Sequence, residues 1–320
     1  MLDLICMGEA LIDFLADRPG VPLTQAKVFT WAPGGVPANV AVAAAKLDLR
    51  SGFLGKVGND PFGHFLRDTL QSCGVDTSCM LFCNEARTAL AFVALPSPDN
   101  PQFIFYRNPS ADMLLRPDEL DREYLRNTQA FHFGSISLIA EPSRSATLEA
   151  AKVAKEAHAL ISFDPNYRPA LWPPEEARKR ILTTLPLCDL LKLNEEEVRL
   201  LSGTSDLLHG ARQLLKLGPA ACLVTLGPEG SLYVSNRSDG HVPSFRVKSV
   251  DATGCRDGFM AAAIKGVLQY GDVRTLGPGD FEEILRFANA VGALAATKKG
   301  GIPALPTTGQ VNAFLSQFGP

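Results

Sequence analysis

Long apolar runs are absent from this 320-residue sequence. The apolar run that begins at Ala38 ends at Lys46, well short of the roughly 20 apolar residues that cross a bilayer. The N-terminus carries no basic segment ahead of its apolar residues, which is typical of a buried strand rather than of a signal peptide. We therefore expect a cytoplasmic protein with no membrane partner.

The sequence also lacks an excess of charge of either sign. It has 31 basic and 34 acidic residues, a formal net charge of -3, and a pI of about 6.0. Nucleic-acid-binding proteins usually carry a basic patch, so we expect no nucleic acid as a partner. The hydrophobic fraction of 46% is sufficient for a large core, and we predict one α/β domain over residues 1–320.

Cysteine and histidine are too scattered for a disulfide framework or a zinc site. The seven cysteines are odd in number, which favours reduced thiols. Cys79 and Cys83 are four residues apart, but no second pair or suitably spaced histidine accompanies them. The five histidines show no HExxH spacing. A transition-metal enzyme is therefore not expected.

Two common phosphate-binding fingerprints are missing as well. The segment Gly55-Lys56-Val57 lacks the hydroxyl residue and the upstream glycine of a nucleotide-binding P-loop. The segment after the first predicted strand, from Gly8 to Asp13, lacks the glycine spacing of a dinucleotide-binding turn. Any phosphate site must therefore be of another kind.

What the sequence does contain is an alternation of short apolar strands with helices. Strands are predicted at 4–7, 52–54, 130–133, 160–163, 190–193 and 221–225. Helices are predicted at 37–47, 61–73, 143–157, 174–185 and 281–298. Strands that are apolar throughout and alternate with helices indicate a parallel sheet covered on both faces. We predict a doubly wound α/β fold.

Two regions, at about 14–32 and 88–107, break this alternation and are typical of β-hairpins. In the second, turn residues at 96–101 join two strand-like runs. A small antiparallel sheet inserted into an α/β domain is a natural lid that excludes water from the site. The alternative is an antiparallel extension of the main sheet that does not move.

A strand-turn-helix junction is predicted around Asp251-Ala252-Thr253-Gly254-Cys255-Arg256-Asp257, between a β-like run at 245–250 and an apolar helix. The first amides of such a helix have no intrahelical partner, so Gly254, Cys255 and Arg256 can bind an anion such as phosphate. Asp257, in the first turn, can accept a proton from an attacking hydroxyl. Alternatively, Asp251 or Asp257 only caps the helix.

A second glycine motif, Gly34-Gly35-Val36-Pro37-Ala38-Asn39, precedes another predicted helix. Its paired glycines allow close backbone approach, and Asn39 offers both a donor and an acceptor to a polyol. Asp13 can accept hydrogen bonds from two sugar hydroxyls.

Taken together, these motifs resemble those of the ribokinase-like, phosphofructokinase-B family of sugar kinases. The remaining matches, in the family's order, are Gly55-Lys56-Val57-Gly58-Asn59-Asp60, Asn194-Glu195-Glu196-Glu197 and Thr225-Leu226-Gly227-Pro228-Glu229-Gly230. The resemblance implies a ribokinase-like fold, ATP as the phosphoryl donor, Mg²⁺ as the cofactor, and a lid through which two copies pair as a homodimer. It makes Asp257 the catalytic base and the amides of residues 254–257 the anion hole.

The resemblance also assigns the remaining ligand sites. Asn194 and Glu197 match the motif that holds magnesium through water, although a solvated acidic helix start is the simpler interpretation. Gly254, Thr225 and Gly227 match positions that bind the nucleotide phosphates, and Asn289 a position near the adenine. A site for a monovalent cation such as K⁺ is implied by Asp251, Thr253 and the carbonyls of Ala295, Lys298 and Gly300, but Ala304 replaces a frequent serine there.

The sugar is inferred from Arg107 and Arg168. Both lie in segments that resemble the fructokinase and 2-keto-3-deoxygluconate kinase branch, and an arginine can bind sugar hydroxyls or a carboxylate. Fructose, phosphorylated at O6, is the prediction, and the keto acid is the alternative. Arg168 could instead form an ion pair with Asp164.

Arg256 departs from the family, which usually has glycine at this position in a G-A-G-D motif. The arginine could block the γ-phosphate, stabilise the transition state, or require a strained backbone. The first and third cases predict a weakened or non-catalytic sugar-binding protein.

Overall fold

The computed structural model describes residues 1–97 and 100–318. Its strands are β1 (Leu2–Met7), β2 (Leu11–Ala16), β3 (Phe29–Gly34), β4 (Ser51–Gly58), β5 (Met80–Cys83), β6 (Ala89–Ser97), β7 (Asn100–Tyr106), β8 (Thr128–Gly134), β9 (Leu160–Asp164), β10 (Leu190–Asn194), β11 (Ala221–Thr225), β12 (Ser231–Ser235) and β13 (Asp239–Val242). Its α-helices are α1 (Val36–Lys46), α2 (Pro61–Ser72), α3 (Arg122–Arg126), α4 (Ser143–Glu156), α5 (Pro174–Thr184), α6 (Glu195–Ser202), α7 (Leu207–Leu215), α8 (Cys255–Tyr270), α9 (Pro278–Ala296) and α10 (Thr308–Leu315).

The main sheet of the described residues has nine strands in the order β13-β12-β11-β10-β9-β8-β1-β4-β5. All pairs from β11 to β5 are parallel. Only β12 and β13 are added antiparallel at one edge. Parallel strands require crossover connections, and the helices supply them. The predicted doubly wound, mostly parallel sheet is confirmed.

Alternate residues of the central strand β1 enter two separate cores. Leu4 and Cys6 pack with α1, α8 and α9 on one face of the sheet. Ile5 and Met7 pack with α4, α5, α6 and α7 on the other face. Because successive side chains of a strand point to opposite faces, an entirely apolar strand must be covered on both sides.

The lid is a separate four-stranded sheet in the order β3-β2-β6-β7. Its outer pairs are antiparallel, whereas the central pair β2-β6 is parallel because it joins two hairpins that leave the core at different points. The alternative of an extension of the main sheet is therefore wrong. Part of the predicted turn, residues 98 and 99, lies outside the described residues.

The two faces of the lid differ in chemistry. Register places Asp13 beside Ala91 and Phe105 on the face toward the core domain. Phe14 and Phe92 are stacked on the opposite face, where Trp31 and Ile104 flank them in register. On this second, outer face Phe14 and Trp31 also pack against Phe62 and Phe65 of α2, so within the described chain its exposed apolar surface lies mainly around Ile104 and Tyr106.

One predicted strand is not formed, and several elements were not predicted. The run at 245–250 forms no strand and pairs with none of the described strands; Phe245 instead packs against Phe314 and Phe318. Its alternating pattern reflects this aromatic cluster. The strands β5, β12 and β13 and the helix α7 carry too weak a pattern to be predicted. Within the described ranges, no helix has the length and apolar character of a membrane span.

Candidate active site

Polar residues end three adjacent strands at the carboxyl edge of the main sheet. Asp164 ends β9, Asn194 ends β10 and Thr225 ends β11, with Asn194 and Thr225 in direct register. Ligands of open α/β sheets bind at this edge. The predicted nucleotide residues therefore converge where the fold allows a binding site.

Gly254 initiates α8 in a conformation suited to glycine. Its φ is 80°, and a Cβ there would lie 3.1 Å from the Cα of Gly301. No side chain caps this helix, so the alternative that Asp251 or Asp257 is its cap is wrong. The amide of Cys255 donates to the carbonyl of Ala252 at 3.3 Å, and anion binding by the first turn of α8 stays a prediction.

Asp257 is buried in the first turn of α8 and is hydrogen-bonded to Asn39 of the glycine motif at 34–39. Its Oδ2 accepts a hydrogen bond of 2.8 Å from Nδ2 of Asn39. Burial raises the pKa of Asp257, while the bond from Asn39 and the charge of Lys192 oppose the rise. Oδ1 of Asn39 is buried without a partner, leaving an acceptor for a hydroxyl group. Asn39 can therefore orient the base and bind the substrate.

The paired glycines make room for Asp13 and for the backbone at Glu9, which joins β1 to the lid and is called the hinge below. A Cβ on Gly34 would lie 2.1 Å from Oδ2 of Asp13, and one on Gly35 would lie 2.4 Å from the carbonyl oxygen of Glu9. Burial raises the pKa of Asp13 to about 7, with Arg168 opposing the rise and Asp257 adding to it. The structure thus brings Asp13, Arg168 and Asp257 to one place.

Arg168 links the core to the lid. Its guanidinium lies 5.4 Å from the ring centroid of Phe103 in β7, a cation–π distance. The alternative ion pair with Asp164 is wrong, because Asp164 binds Nζ of Lys192 at 2.7 Å and Arg168 is in no ion pair of the described chain. Arg168 therefore remains near Asp13 and Asp257, the other residues predicted to act on the sugar.

Arg107 is buried at the base of the lid, where it forms an ion pair with Asp112. Its Nε donates to Oδ2 of Asp112 at 2.9 Å, and its Nη2 donates to the same oxygen. Ser110 also donates to Asp112. Arg107 thus has a structural role, and its contact with a sugar stays a prediction that its remaining N–H groups, two on Nη1 and one on Nη2, could fulfil.

Asn194 and Glu197 form a reciprocal capping box at the start of α6. Each side chain accepts the other's backbone amide at 2.8 Å, and Glu197 also accepts the amide of Tyr167 at 2.7 Å. Glu197 is 2% exposed, so a solvated acidic helix start is wrong for this residue. A fixed carboxylate at this edge fits Mg²⁺, which keeps several waters and binds few protein groups.

The residues predicted to bind a monovalent cation lie together at the end of α9. Oδ1 of Asp251 accepts from the amide and hydroxyl of Thr253, and Oδ2 accepts from the amide of Gly300 at 2.8 Å. The carbonyl of Ala295 accepts from the amide of Lys298 at 3.2 Å. The loop is therefore ordered by its own hydrogen bonds, and its use by a cation stays a prediction.

The other predicted nucleotide residues lie in two loops beside the same edge. The hydroxyl of Thr225 donates to the carbonyl of Leu193 at 3.3 Å, and Gly227 has a φ of 59° in the turn that follows. Asn289 is buried and its Nδ2 donates to the carbonyls of Val242 and Pro243. Asn289 thus fixes the loop after β13, and its place near an adenine stays a prediction.

Arg256 adopts helical backbone geometry as the second residue of α8. The only non-glycine residues of the described chain with positive φ are Asp48, His158 and Asn166, so the expectation of strain at Arg256 is wrong. Cys255 adds no charge to the anion hole, because burial raises the pKa of its thiol to about 12.

Sequence reasoning missed a polar cluster beneath the site. The fully buried Lys192 binds Asp164, and the buried His132 contacts Ser162 at 2.9 Å. A lysine inside the apolar strand β10 was the available signal, because a buried charge requires a partner.

Comparison with known proteins identifies the family. A family model described as pfkB family carbohydrate kinase matches residues 1–308. The chain belongs to this family.

Members of the pfkB family with named activities resemble the whole chain. It is 47% identical over 314 residues to a probable fructokinase-2 of Arabidopsis thaliana, covering 97% of this chain and 95% of that protein. A fructokinase from Xylella fastidiosa with bound ATP superposes with a TM-score of 0.90 at 35% identity, covering 99% of both chains. A fructokinase double mutant from Vibrio cholerae O395, with fructose, ADP and potassium ion bound, superposes with a TM-score of 0.87 at 34% identity and 98% coverage of both.

Proposed function

We propose that this carbohydrate kinase is a fructokinase that transfers the γ-phosphoryl group of ATP to O6 of fructose. The observation that carries the proposal is the hydrogen bond of 2.8 Å between Asn39 of the sugar motif and Asp257 at the start of α8. This contact supports Asp257 as a buried base beside the residues proposed to bind the sugar and the amides proposed to bind the phosphate. The fructokinases among its relatives support the choice of sugar.

In this proposal the residues of the site have separate roles in phosphoryl transfer. Asp13, Asn39 and Arg168 bind the sugar hydroxyls, and Asp257 accepts the proton of the attacking hydroxyl. The new O6–P bond forms as the bond from phosphorus to the β,γ-bridging oxygen breaks, and ADP leaves. The amides at the start of α8 stabilise the charge on the transferring group. The lid keeps water from replacing the sugar.

Magnesium and a monovalent cation complete the proposal. Asn194 and Glu197 would hold Mg²⁺ through water, where it would neutralise phosphate charge. The loop of Asp251 and Thr253 would hold K⁺ beside the anion hole. Thr225, Gly227 and Asn289 would contact ATP from the neighbouring loops.

We also propose a single kinase domain with its lid, a homodimer formed through the outer face of the lid, and a cytoplasmic location. The use of ATP and the seven free cysteines support this location. The exposed Ile104 and Tyr106 on an edge strand support pairing of two lids.

A coupled assay of ADP release with MgATP tests the proposed function. Fructose, 2-keto-3-deoxygluconate, ribose, glucose and a blank without sugar form the panel, and phosphorus NMR of the product identifies the phosphorylated oxygen. Release with fructose alone, giving the 6-phosphate, is expected. Release only with the keto acid would change the substrate, and fructose binding without release would favour a non-catalytic protein.

A further inference from the structure

Arg256, in the first turn of α8, has a guanidinium that forms no ion pair within the described chain. Its Nη2 donates to Oδ1 of Asn166 at 3.2 Å, a long hydrogen bond across the gap between α8 and the end of β9. Within the described chain, no carboxylate oxygen lies within the 4.0 Å limit of an ion pair with it. An arginine has five N–H donors, so most of its hydrogen-bonding capacity is unused.

The carboxylates around Arg256 keep it charged but are bound to other groups. Burial lowers the pKa of Arg256, yet Glu197, Asp164 and Asp257 outweigh burial and hold this pKa above its ordinary value. Glu197 accepts two backbone amides, Asp164 binds Lys192, and Asp257 accepts from Asn39. The guanidinium is therefore charged, and each carboxylate near it is already bound to another group.

Asn166 supplies a second unpaired donor at the same point. It is 3% exposed, it has a φ of 44°, and its Nδ2 is buried without a partner. The Oδ1 that accepts from Arg256 belongs to the same planar amide, so Nδ2 lies next to the guanidinium. A buried donor without an acceptor is unfavourable unless a ligand satisfies it.

Arg256 and Asn166 meet just after the end of β9, at the same edge of the sheet as the end of β10. Arg256 and Nδ2 of Asn166 offer donors, which suits an oxyanion with several oxygens. Asp13 and Arg168, which are proposed to bind the sugar, also lie near Asp257, and Arg168 lies near Arg256. The ligand that these donors bind must carry negative charge and lie next to the base.

We propose that Arg256 and Asn166 bind the γ-phosphoryl group of the nucleotide, so that this chain uses a side-chain clamp in addition to backbone amides. The proposal rests on the proposed function for the identity of the phosphoryl donor. Arginine matches phosphate oxygens with two parallel N–H bonds, which a glycine at this position could not supply.

The test compares two nucleotides that differ in the γ-phosphate. Isothermal titration calorimetry measures the affinities of the parent, Arg256→Gln and Arg256→Lys proteins for MgADP and for the magnesium complex of the β,γ-imido analogue of ATP, without sugar. Loss of a charged hydrogen bond weakens binding by about tenfold to a hundredfold. We expect this loss for the imido analogue with Arg256→Gln, an affinity for MgADP within about twofold, and partial recovery with Arg256→Lys.

Two further variants supply a control and an independent test of the clamp. Arg199→Gln, which removes an exposed arginine paired with Glu195 at 3.2 Å, is the matched control and should change neither affinity. Asn166→Asp is nearly isosteric and adds a negative charge beside the guanidinium, so it should weaken the imido analogue selectively. It keeps the proposal testable even if Arg256→Gln does not fold.

Equal loss for both nucleotides, no loss, or tighter binding of the imido analogue by Arg256→Gln would overturn the proposal. The last result would show that the guanidinium blocks the γ-phosphate. Because no sugar is present, these outcomes are independent of the fructose assay. Selective γ-phosphate binding in a protein that does not phosphorylate fructose would refute the proposed substrate and retain the clamp.

Discussion

Asp257 is the residue on which turnover should depend most. Asp257→Asn keeps the size of the side chain but removes the base, and general-base catalysis typically contributes about 10²- to 10⁴-fold. We expect kcat for fructose to fall by roughly that factor, while the KM for fructose changes little. Steady-state kinetics measure both. A kcat within tenfold of the parent would show that Asp257 is not the base.

The hydrogen bond from Asn39 to Asp257 should appear in the pH profile. Burial raises the pKa of Asp257, and Asn39 opposes the rise because it donates to the charged form. As pH falls through this pKa, the base is protonated and kcat falls. Asn39→Leu removes the donor, so the acid limb of kcat at saturating fructose should move to higher pH. A shift to lower pH, or none, would contradict this coupling.

These residue-scale features were only partly accessible from the sequence. Asp257, Asn39 and Gly34 stand in motifs whose chemistry is local, so their positions could be predicted. The bond between Asn39 and Asp257 joins residues 218 positions apart, and the bond between Lys192 and Asp164 joins residues 28 apart. Which buried charge meets which partner depends on strand order, and local patterns do not determine that order.

At the scale of elements, the contact between β7 and the segment after β9 should control closure of the lid. Phe103→Ala removes the ring under Arg168, and cation–π contacts contribute about 0.5–2 kcal/mol. We expect the KM for fructose to rise about twofold to thirtyfold, with kcat less affected. Leu217→Ala, at an exposed apolar position outside the lid, is the control. If both variants behave alike, the contact has no role in binding sugar.

The hinge between β1 and the lid contains a buried acid whose ionisation should destabilise the fold. Burial raises the pKa of Glu9 to about 7, and its Oε1 accepts the amide of Val36 at 3.1 Å. Because the pKa of Glu9 is higher in the folded state than in the unfolded state, protonated Glu9 stabilises the fold at low pH. This contribution to the free energy of unfolding is lost as pH rises through about 7.

Glu9→Gln removes this ionisation, so its stability relative to the parent should increase between pH 5 and 8, by at most about 3 kcal/mol. Urea unfolding of both proteins across this range measures the difference. Because other titrating groups are common to both proteins, the comparison isolates Glu9. A difference that is constant with pH, or that changes in the parent's favour, would contradict the assignment.

The elements themselves were predictable where burial imposes a clear pattern. Apolar strands such as β9 and β11 lie within one residue of their predicted bounds, because both faces of the sheet are covered. The antiparallel strands β12 and β13, of which β13 is the edge of the sheet, escaped prediction, since short strands near an edge need no continuous apolar run. The run at 245–250 was wrongly predicted as a strand, because the half-buried Phe245 packs against other aromatic rings and not in a sheet.

At the scale of the whole molecule, the outer face of the lid determines the proposed assembly. Ile104 is 50% exposed and Tyr106 is 62% exposed, and both lie on the edge strand β7. An exposed edge beside an apolar face favours pairing with a second copy, because it buries both at once. The two lids would then stabilise each other across the site that each must close.

This arrangement predicts that adding charge to the outer face of the lid separates the dimer into folded monomers. The parent should have twice the chain mass of 34.4 kDa in light scattering coupled to gel filtration, and the double variant Ile104→Lys, Tyr106→Lys should have that single mass. Val250→Lys, at a position 52% exposed outside the lid, is the matched control. If the lids support each other, the double variant also has a higher KM for fructose, since each lid closes less often. A monomeric parent would exclude the dimer and leave the apolar face without this function.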